Sequence, residues 1–86
     1  MRRITTTTEL GAVLRDRRQQ TSLTQAGVSE RVGLRQATVS DFERRPDRAR
    51  VETLFRLLAA LEMDLYLQPK EERRKPTARP ANAERW

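Results

Sequence analysis

The side chains best suited to do chemistry in this chain lie together between positions 35 and 41. They are small or polar and recur on one face of a helical segment: Gln36, Ala37, Ser40 and Asp41. At about 100° per residue, this face points away from Val39 and Phe42, whose i, i+3 spacing marks the buried side. The spacing therefore predicts a short polar surface on the N-terminal half of a helix.

Such a surface can contact the edges of DNA bases in the major groove. The amide of Gln36 could form paired hydrogen bonds with adenine, and the methyl group of Ala37 could touch that of thymine. Ser40 suits several bases, and Asp41 can accept from cytosine N4, although phosphate would repel it without that partner. The alternative is that these positions are merely solvated, and for Asp41 both interpretations stay open.

Neighbouring side chains suit the sugar–phosphate backbone. Arg35 begins the segment and could reach a phosphate or a guanine, whereas Arg44 and Thr38 are assigned to phosphate. Gln25 stands in the first turn of the preceding segment, where an exposed amide and helix N–H groups can meet a phosphate. Thr24 is expected mainly as a helix cap that could also touch phosphate. Isolated surface arginines are usually only solvated, so Arg35 is a stronger candidate than Arg44.

Residues 24–43 carry the local signals of two helices joined by a tight turn. Thr24 is an N-cap candidate, Val28 faces the core, and Ser29 is small where the two helices must cross. Gly33 can take the left-handed conformation that ends a helix. The pattern predicts a helix-turn-helix whose second helix, from residue 35 or 36 to 43, meets base edges.

A first helix is expected to begin at the T-x-x-E capping box formed by Thr6 and Glu9 and to fade near residues 21–22. Its core side holds Leu10, Val13 and Leu14, with Arg17 as a further candidate. Its other face holds Arg15, Asp16 and Arg18. Arg2 and Arg3 precede it as a candidate flexible basic arm, and Ile4 could start a strand or act as a hydrophobic staple.

After a loop over residues 44–49, which contains Pro46, residues 51–61 show the clearest amphipathic pattern. Their apolar stripe is formed by Val51, Leu54, Phe55, Leu58 and Leu61, and it is widened by Leu57, Ala59 and Ala60. This helix is expected to contribute most of the core. The period then changes to two in M-D-L-Y-L, residues 63–67, and Pro69 closes a predicted short strand.

The predicted strand has no convincing partner within the chain, unless it is the segment at Ile4. An unpaired strand edge favours uncontrolled association. Pairing with the same strand of a second copy, in an isologous dimer, is the most economical solution. Dimerisation is therefore assigned to Met63, Leu65, Tyr66 and Leu67.

Composition sets broad limits on function. The 86 residues carry 18 Lys+Arg against 12 Asp+Glu, and the net charge of +6 favours an anionic partner such as nucleic acid or an acidic membrane surface, unless it only reflects an arginine-rich coding bias. The chain contains neither Cys nor His, which excludes disulfides, Cys/His metal sites and nucleophile–His catalysis. We expect no enzyme activity, cofactor or metal, no membrane segment and a cytoplasmic location.

The chain is expected to divide into one small domain, residues 1–69, and a basic tail, residues 70–86. The tail is highly charged and has no large aliphatic or aromatic side chain before Trp86, so we expect it to be disordered in the free protein. Trp86 could anchor the tail in a partner's pocket or be an uncontacted chain end. The tail could also follow the DNA backbone.

Residues 23–43 read L-T-Q-A-G-V-S-E-R-V-G-L-R-Q-A-T-V-S-D-F-E and resemble the Cro/C1 (XRE) helix-turn-helix family. The resemblance covers about residues 10–67. It implies a mostly α, lambda-repressor-like bundle of four or five helices, here with one C-terminal strand pairing across a dimer. Two positions depart from the pattern: Gly27 replaces a stronger helix former, at up to ~1 kcal/mol, and Arg35 replaces the usual Ser or Thr cap.

Within that family the chain is most similar to HipB-type antitoxins, through R-Q-A-T-V-S at 35–40, the loop with Pro46 and Asp47, M-D-L-Y-L and the polar tail. The resemblance implies a homodimer that represses its own operon at a palindromic operator and binds a HipA-type Ser/Thr kinase toxin. The alternatives are a stand-alone XRE regulator without a toxin and a protein-interaction module with vestigial DNA affinity.

Overall fold

The part of the chain described by the structure, a computed structural model, comprises residues 2–70. It forms four α-helices and one turn of 3-10 helix: α1 (Thr7–Gln20), α2 (Gln25–Val32), α3 (Gln36–Arg44), the 3-10 helix (Pro46–Arg48) and α4 (Val51–Ala60). The predicted mostly α fold class is confirmed. The loop predicted over residues 44–49 is wrong in part, because Pro46 starts the 3-10 turn instead of only ending α3.

The helix ends follow their predicted local signals. Both bonds of the capping box are present at the start of α1, where the Glu9 N–H donates to Thr6 Oγ1 and the Thr6 N–H donates to Glu9 Oε1, each over 3.1 Å. At the start of α2 the Gly27 N–H donates to Thr24 Oγ1 over 2.9 Å. Gly33 ends α2 with φ 69°, a left-handed conformation that favours glycine.

All four helices contribute to one core. Its buried apolar members are Leu14, Val28, Val39, Phe42, Leu57, Leu58, Ala60 and Leu61. The stripe predicted for α4 is wrong at Val51 and Phe55, which are 68% and 53% exposed, and at Ala59, which is also exposed. Leu57 and Ala60, predicted to widen the stripe, are buried as expected. The buried positions of α4 centre on the face between Leu57 and Leu61, and Val51 and Phe55 lie about a quarter turn or more from that face.

Gly11 allows α1 to approach the 3-10 helix closely. A Cβ at Gly11 would lie 2.8 Å from Cγ and 3.1 Å from Cβ of Pro46, closer than ordinary van der Waals contact. The proline ring is rigid and cannot swing aside like a long side chain. The contact joins the first helix to the segment that follows α3.

Substitution Gly11→Ala is expected to lower the free energy of unfolding by about 1 kcal/mol, because overpacking of roughly 1–3 kcal/mol exceeds the ~1 kcal/mol gained in helix propensity. Urea unfolding would measure it. The double variant Gly11→Ala/Pro46→Ala removes the nearest clashing atom, so it should lose less stability than the two single changes added together. A rise in stability for Gly11→Ala alone would contradict the close contact.

Residues 63–69 follow α4 without forming a strand within the described part of the chain, and neither does Ile4. Because the predicted ladder needs a second copy, the strand at 63–67 stays a prediction. Residues 71–86, and with them most of the predicted tail and Trp86, lie outside the described residues. Within residues 2–70, none of the helices offers an apolar stretch of the length needed to span a bilayer.

Candidate nucleic-acid interface

The side of α3 opposite Val39 and Phe42 is open to solvent. These two side chains are 1% and 2% exposed and anchor α3 in the core, as their spacing predicts. The predicted base contacts divide into Arg35, Gln36, Ala37 and Asp41, which are exposed, and Ser40, which is half-buried. The predicted polar surface therefore exists, and the contact assigned to each of its residues stays a prediction.

The N-terminus of α3 is not capped by a side chain. Arg35 occupies the N-cap position with extended backbone and forms no side-chain cap hydrogen bond. The first N–H groups of a helix carry partial positive charge and attract anions. An exposed Arg35 beside them adds a full positive charge, which suits a phosphate or the acceptor edge of guanine.

Asp41 and Arg44 are paired with each other. Nη2 of Arg44 donates to Oδ1 of Asp41 over 2.7 Å, in an i, i+3 pair whose side chains are both more than half exposed. Such pairs contribute about 0.3–0.5 kcal/mol. The pair could therefore open at small cost if either residue contacted DNA.

The Gln25 side chain is less exposed than predicted. An exposed amide was expected, but the residue is half-buried, and its Nε2 donates to Glu43 Oε1 over 3.0 Å. Thr24 is used as a cap, as expected, and Thr38 is half-buried on α3. The Gln25 amide thus belongs to a hydrogen-bonded group that connects α2 to the last turn of α3.

The centre of that group is an ion pair between Arg18 and Glu43. Nε of Arg18 faces Oε2 of Glu43, Nη2 donates to Oε1 over 2.9 Å, and the side chains are only 13% and 10% exposed. The prediction that Arg18 lies on the solvent face of α1 is wrong. Arg18 follows buried Leu14 by four residues, and Glu43 follows buried Val39 by four, so helical spacing brings both toward the core.

The ion pair is charged at neutral pH. Burial by itself raises the pKa of Glu43, but hydrogen bonds from Arg18 and Gln25 and the positive charges of Arg18 and Arg15 outweigh burial and leave that pKa below its ordinary value. The hydrogen bond to Glu43 raises the pKa of Arg18 against the opposing effect of burial. The Glu43 carboxyl is therefore ionised in the folded protein near pH 7.

Two arginines hold the C-terminal end of α4. Nε of Arg17 donates to the Leu61 carbonyl over 3.1 Å, and Nη1 of Arg31 donates to the Ala60 carbonyl over 3.2 Å. Helix α4 has no basic residue in its own last turn, so α1 and α2 supply the cations that favour its C-terminus. These contacts fix where residues 63–67 leave the bundle relative to the helix-turn-helix.

The predicted dimerisation residues form part of an exposed apolar surface. Leu65, Tyr66 and Leu67 are 45%, 69% and 89% exposed, whereas Met63 is half-buried against the core. Phe55 lines the same shallow groove as Met63, Leu65 and Tyr66. The predicted stripe of α4 assigned Phe55 to the core, so its place in this surface was missed.

Three further arginines lie beside α3. Arg45, Arg48 and Arg50 line a cavity of about 370 Å³ together with Thr38 and Thr53. All three are exposed, and none forms an ion pair within residues 2–70. The sequence signal for these residues is a basic loop directly after the polar helix.

Comparison with known proteins agrees with this geometry. A family described as Helix-turn-helix (HTH_3) matches residues 14–67. Antitoxin HipB of Escherichia coli K12 is 37% identical over 60 residues, which cover 70% of this chain and 68% of that protein. Antitoxin HipB of Escherichia coli O6:H1 is equally identical over 60 residues, covering 64% of its length.

Solved structures with the same fold include a chain of a HipA-HipB-O2-O3 complex, with a TM-score of 0.79, 33% identity and coverage of 81% of this chain and 99% of that one. A chain of a HipB-O1-O2 complex has a TM-score of 0.78 at 33% identity, covering 80% and 100%.

Proposed function

The chain belongs to the helix-turn-helix family of the Cro/C1 (XRE) type, and from this premise we propose that it is a sequence-specific DNA-binding repressor that acts as the antitoxin of a HipA-type kinase. One observation carries the DNA-binding role: α3 buries Val39 and Phe42 and exposes Arg35, Gln36 and Ala37 directly after the tight turn at Gly33. This is the arrangement in which a recognition helix meets base edges. The proposed role is binding, not catalysis, and it takes place in the cytoplasm on nucleoid DNA.

In the proposed complex the start of α3 contacts bases through Arg35, Gln36, Ala37 and Ser40, with Asp41 freed from Arg44. The backbone contacts come from the residues around it: Thr24, Gln25, Thr38 and Arg44, together with Arg45, Arg48 and Arg50. The arginines release counterions from the duplex, so affinity should fall steeply with salt.

The proposed repressor acts as a homodimer. Exposed apolar side chains at Phe55, Leu65, Tyr66 and Leu67 support it, since such a surface is costly to leave in water. The two-fold axis would place two recognition helices about one turn of DNA apart, roughly 34 Å, so the operator should be palindromic.

The antitoxin role is supported by the 37% identity to Antitoxin HipB and by the fold shared with HipB in a complex that contains HipA. The tail 70–86 with Trp86 is proposed as a partner-binding segment. A stand-alone XRE regulator is the second candidate. Co-expression with a kinase-like product of the neighbouring gene distinguishes them, because only an antitoxin co-purifies with that kinase and suppresses its toxicity.

Gln36→Ala tests the proposed base contact. Selection of duplexes from a randomised library should enrich a palindrome for the wild type, and Gln36→Ala should relax base preference at one symmetric pair of positions, with about tenfold weaker binding to the selected site. Gln20→Ala, at an exposed glutamine on α1, serves as the matched control and should bind as the wild type does. If the wild type enriches no sequence, the proposed function is wrong.

A further inference from the structure

The orientation of the Gln25 amide is fixed by its partner. An ionised carboxylate only accepts hydrogen bonds, so the nitrogen of the amide, and not its oxygen, must face Glu43. The Nε2–Oε1 distance is 3.0 Å. An amide nitrogen has two hydrogens, and this bond uses one of them. Within residues 2–70 the second hydrogen has no acceptor, so it is available to a group outside this part of the chain.

Arg18 prevents the Glu43 carboxylate from repelling a phosphate near the Gln25 amide. An unpaired Glu43 carboxylate would repel a phosphate, but the two-point contact with Arg18 neutralises it. Nη1 of the same guanidinium donates to the Leu23 carbonyl over 2.9 Å, immediately before the Thr24 cap. One arginine of α1 thus fixes both the carboxylate and the backbone that leads into α2.

We propose that Arg18 and Glu43 are positioning residues that hold the Gln25 amide ready to donate its second Nε2 hydrogen to a DNA phosphate. The inference rests on the proposed DNA-binding function and extends it to two residues that do not touch DNA themselves. Orienting a glutamine side chain before binding lowers the conformational entropy lost when the complex forms.

The contacts that run from Arg18 through Glu43 to the Gln25 amide are called the relay below. Two double variants test the relay without leaving a buried charge unpaired. Arg18→Met/Glu43→Gln keeps an amide oxygen that can accept from Gln25, whereas Arg18→Met/Glu43→Met keeps no acceptor. Affinity is measured for the duplex selected by the wild type, at a temperature where circular dichroism shows every variant to be folded. The variant with Met at 43 should bind about fivefold more weakly than the variant with Gln at 43.

The difference must disappear when Gln25→Ala is added to both double variants, because the relay acts only through that amide. Single methylphosphonate linkages in the duplex give a second readout. The wild type should be sensitive at one backbone position per half-site at which the variant lacking the acceptor is insensitive. Equal affinities of the two double variants, or a difference that survives Gln25→Ala, would overturn the relay.

A measurement on the free wild-type protein avoids the question of folding. Nitrogen-15 relaxation of the Gln25 side-chain amide should show an order parameter close to that of the α2 backbone, while the exposed amide of Gln20 should be mobile. A Gln25 amide as mobile as that of Gln20 would also overturn the relay. Failure of the proposed function itself is distinct, because the wild type would then select no duplex at all.

Discussion

Arg18→Met is expected to lower the free energy of unfolding by about 3 kcal/mol, because it leaves the Glu43 carboxylate buried without its cation. The two side chains are 13% and 10% exposed, so water replaces the lost partner poorly. Arg18→Met/Glu43→Leu should recover most of the loss, since an apolar pair of similar size carries no desolvation penalty. Urea unfolding followed by circular dichroism measures all the variants.

Arg3→Met is the matched control, because it removes a guanidinium from an exposed position just before the same helix. Its effect should stay within about 0.5 kcal/mol. Equal losses for Arg18→Met and Arg3→Met would show that the buried ion pair contributes nothing to stability beyond an exposed charge.

The pH dependence follows from the lowered pKa of Glu43. In the unfolded chain this carboxyl titrates near its ordinary value of 4.5, and in the folded chain it titrates at lower pH. Its contribution is therefore fully present above about pH 4.5 and is lost as the pH falls through the lower, folded-state pKa. The Arg18→Met/Glu43→Leu variant should lose less thermal stability than the wild type between neutral pH and about pH 3.

The sequence predicted the elements whose causes are local. Thr6 with Glu9, Thr24 and Gly33 act through neighbours within a few residues, and each starts or ends a helix where its type predicts. The exposed start of α3 follows from the spacing of Val39 and Phe42. The helix-turn-helix was therefore predictable, because each of its signals acts between residues that lie within about one turn of helix of each other.

Interactions between distant segments were not predictable in the same way. Arg18 and Glu43 are 25 residues apart, and helical spacing shows only that each faces inward, without naming a partner. Phe55 belongs to the apolar stripe of α4, but how much of a stripe the neighbouring helices cover depends on how they pack. The half-buried state of Gln25 depends on the position of Glu43, and that position is set by the packing of α3 against the other helices.

The exposed apolar surface marks the place where packing within one chain ends. Phe55, Leu65, Tyr66 and Leu67 remain exposed within the described residues. Arg17 and Arg31 hold the end of α4 from which that segment departs. A second copy docked there would be fixed in orientation relative to both recognition helices, which is what a palindromic operator requires.

Leu65→Pro should convert the proposed dimer into a monomer and weaken operator binding by about 100-fold or more. Proline removes a backbone N–H from the predicted 63–67 ladder and also restricts Asp64 before it. Two linked recognition helices bind with an avidity roughly 10²–10⁴ above that of one, and a monomer loses this gain. Light scattering should give the 10.0 kDa mass of one chain, and gel shift with the selected duplex gives the affinity.

Gln68→Pro is the matched control, because it introduces the same ring beyond the predicted strand and next to the natural Pro69. It should leave mass and affinity unchanged. Leu65→Asp attacks the same surface without depending on strand register, since it places a charge among apolar side chains. If both Leu65 variants kept the dimer mass, pairing through residues 63–67 would be wrong and the exposed surface would need a different occupant. A monomer that kept full operator affinity would instead show that the two recognition helices do not act as a pair.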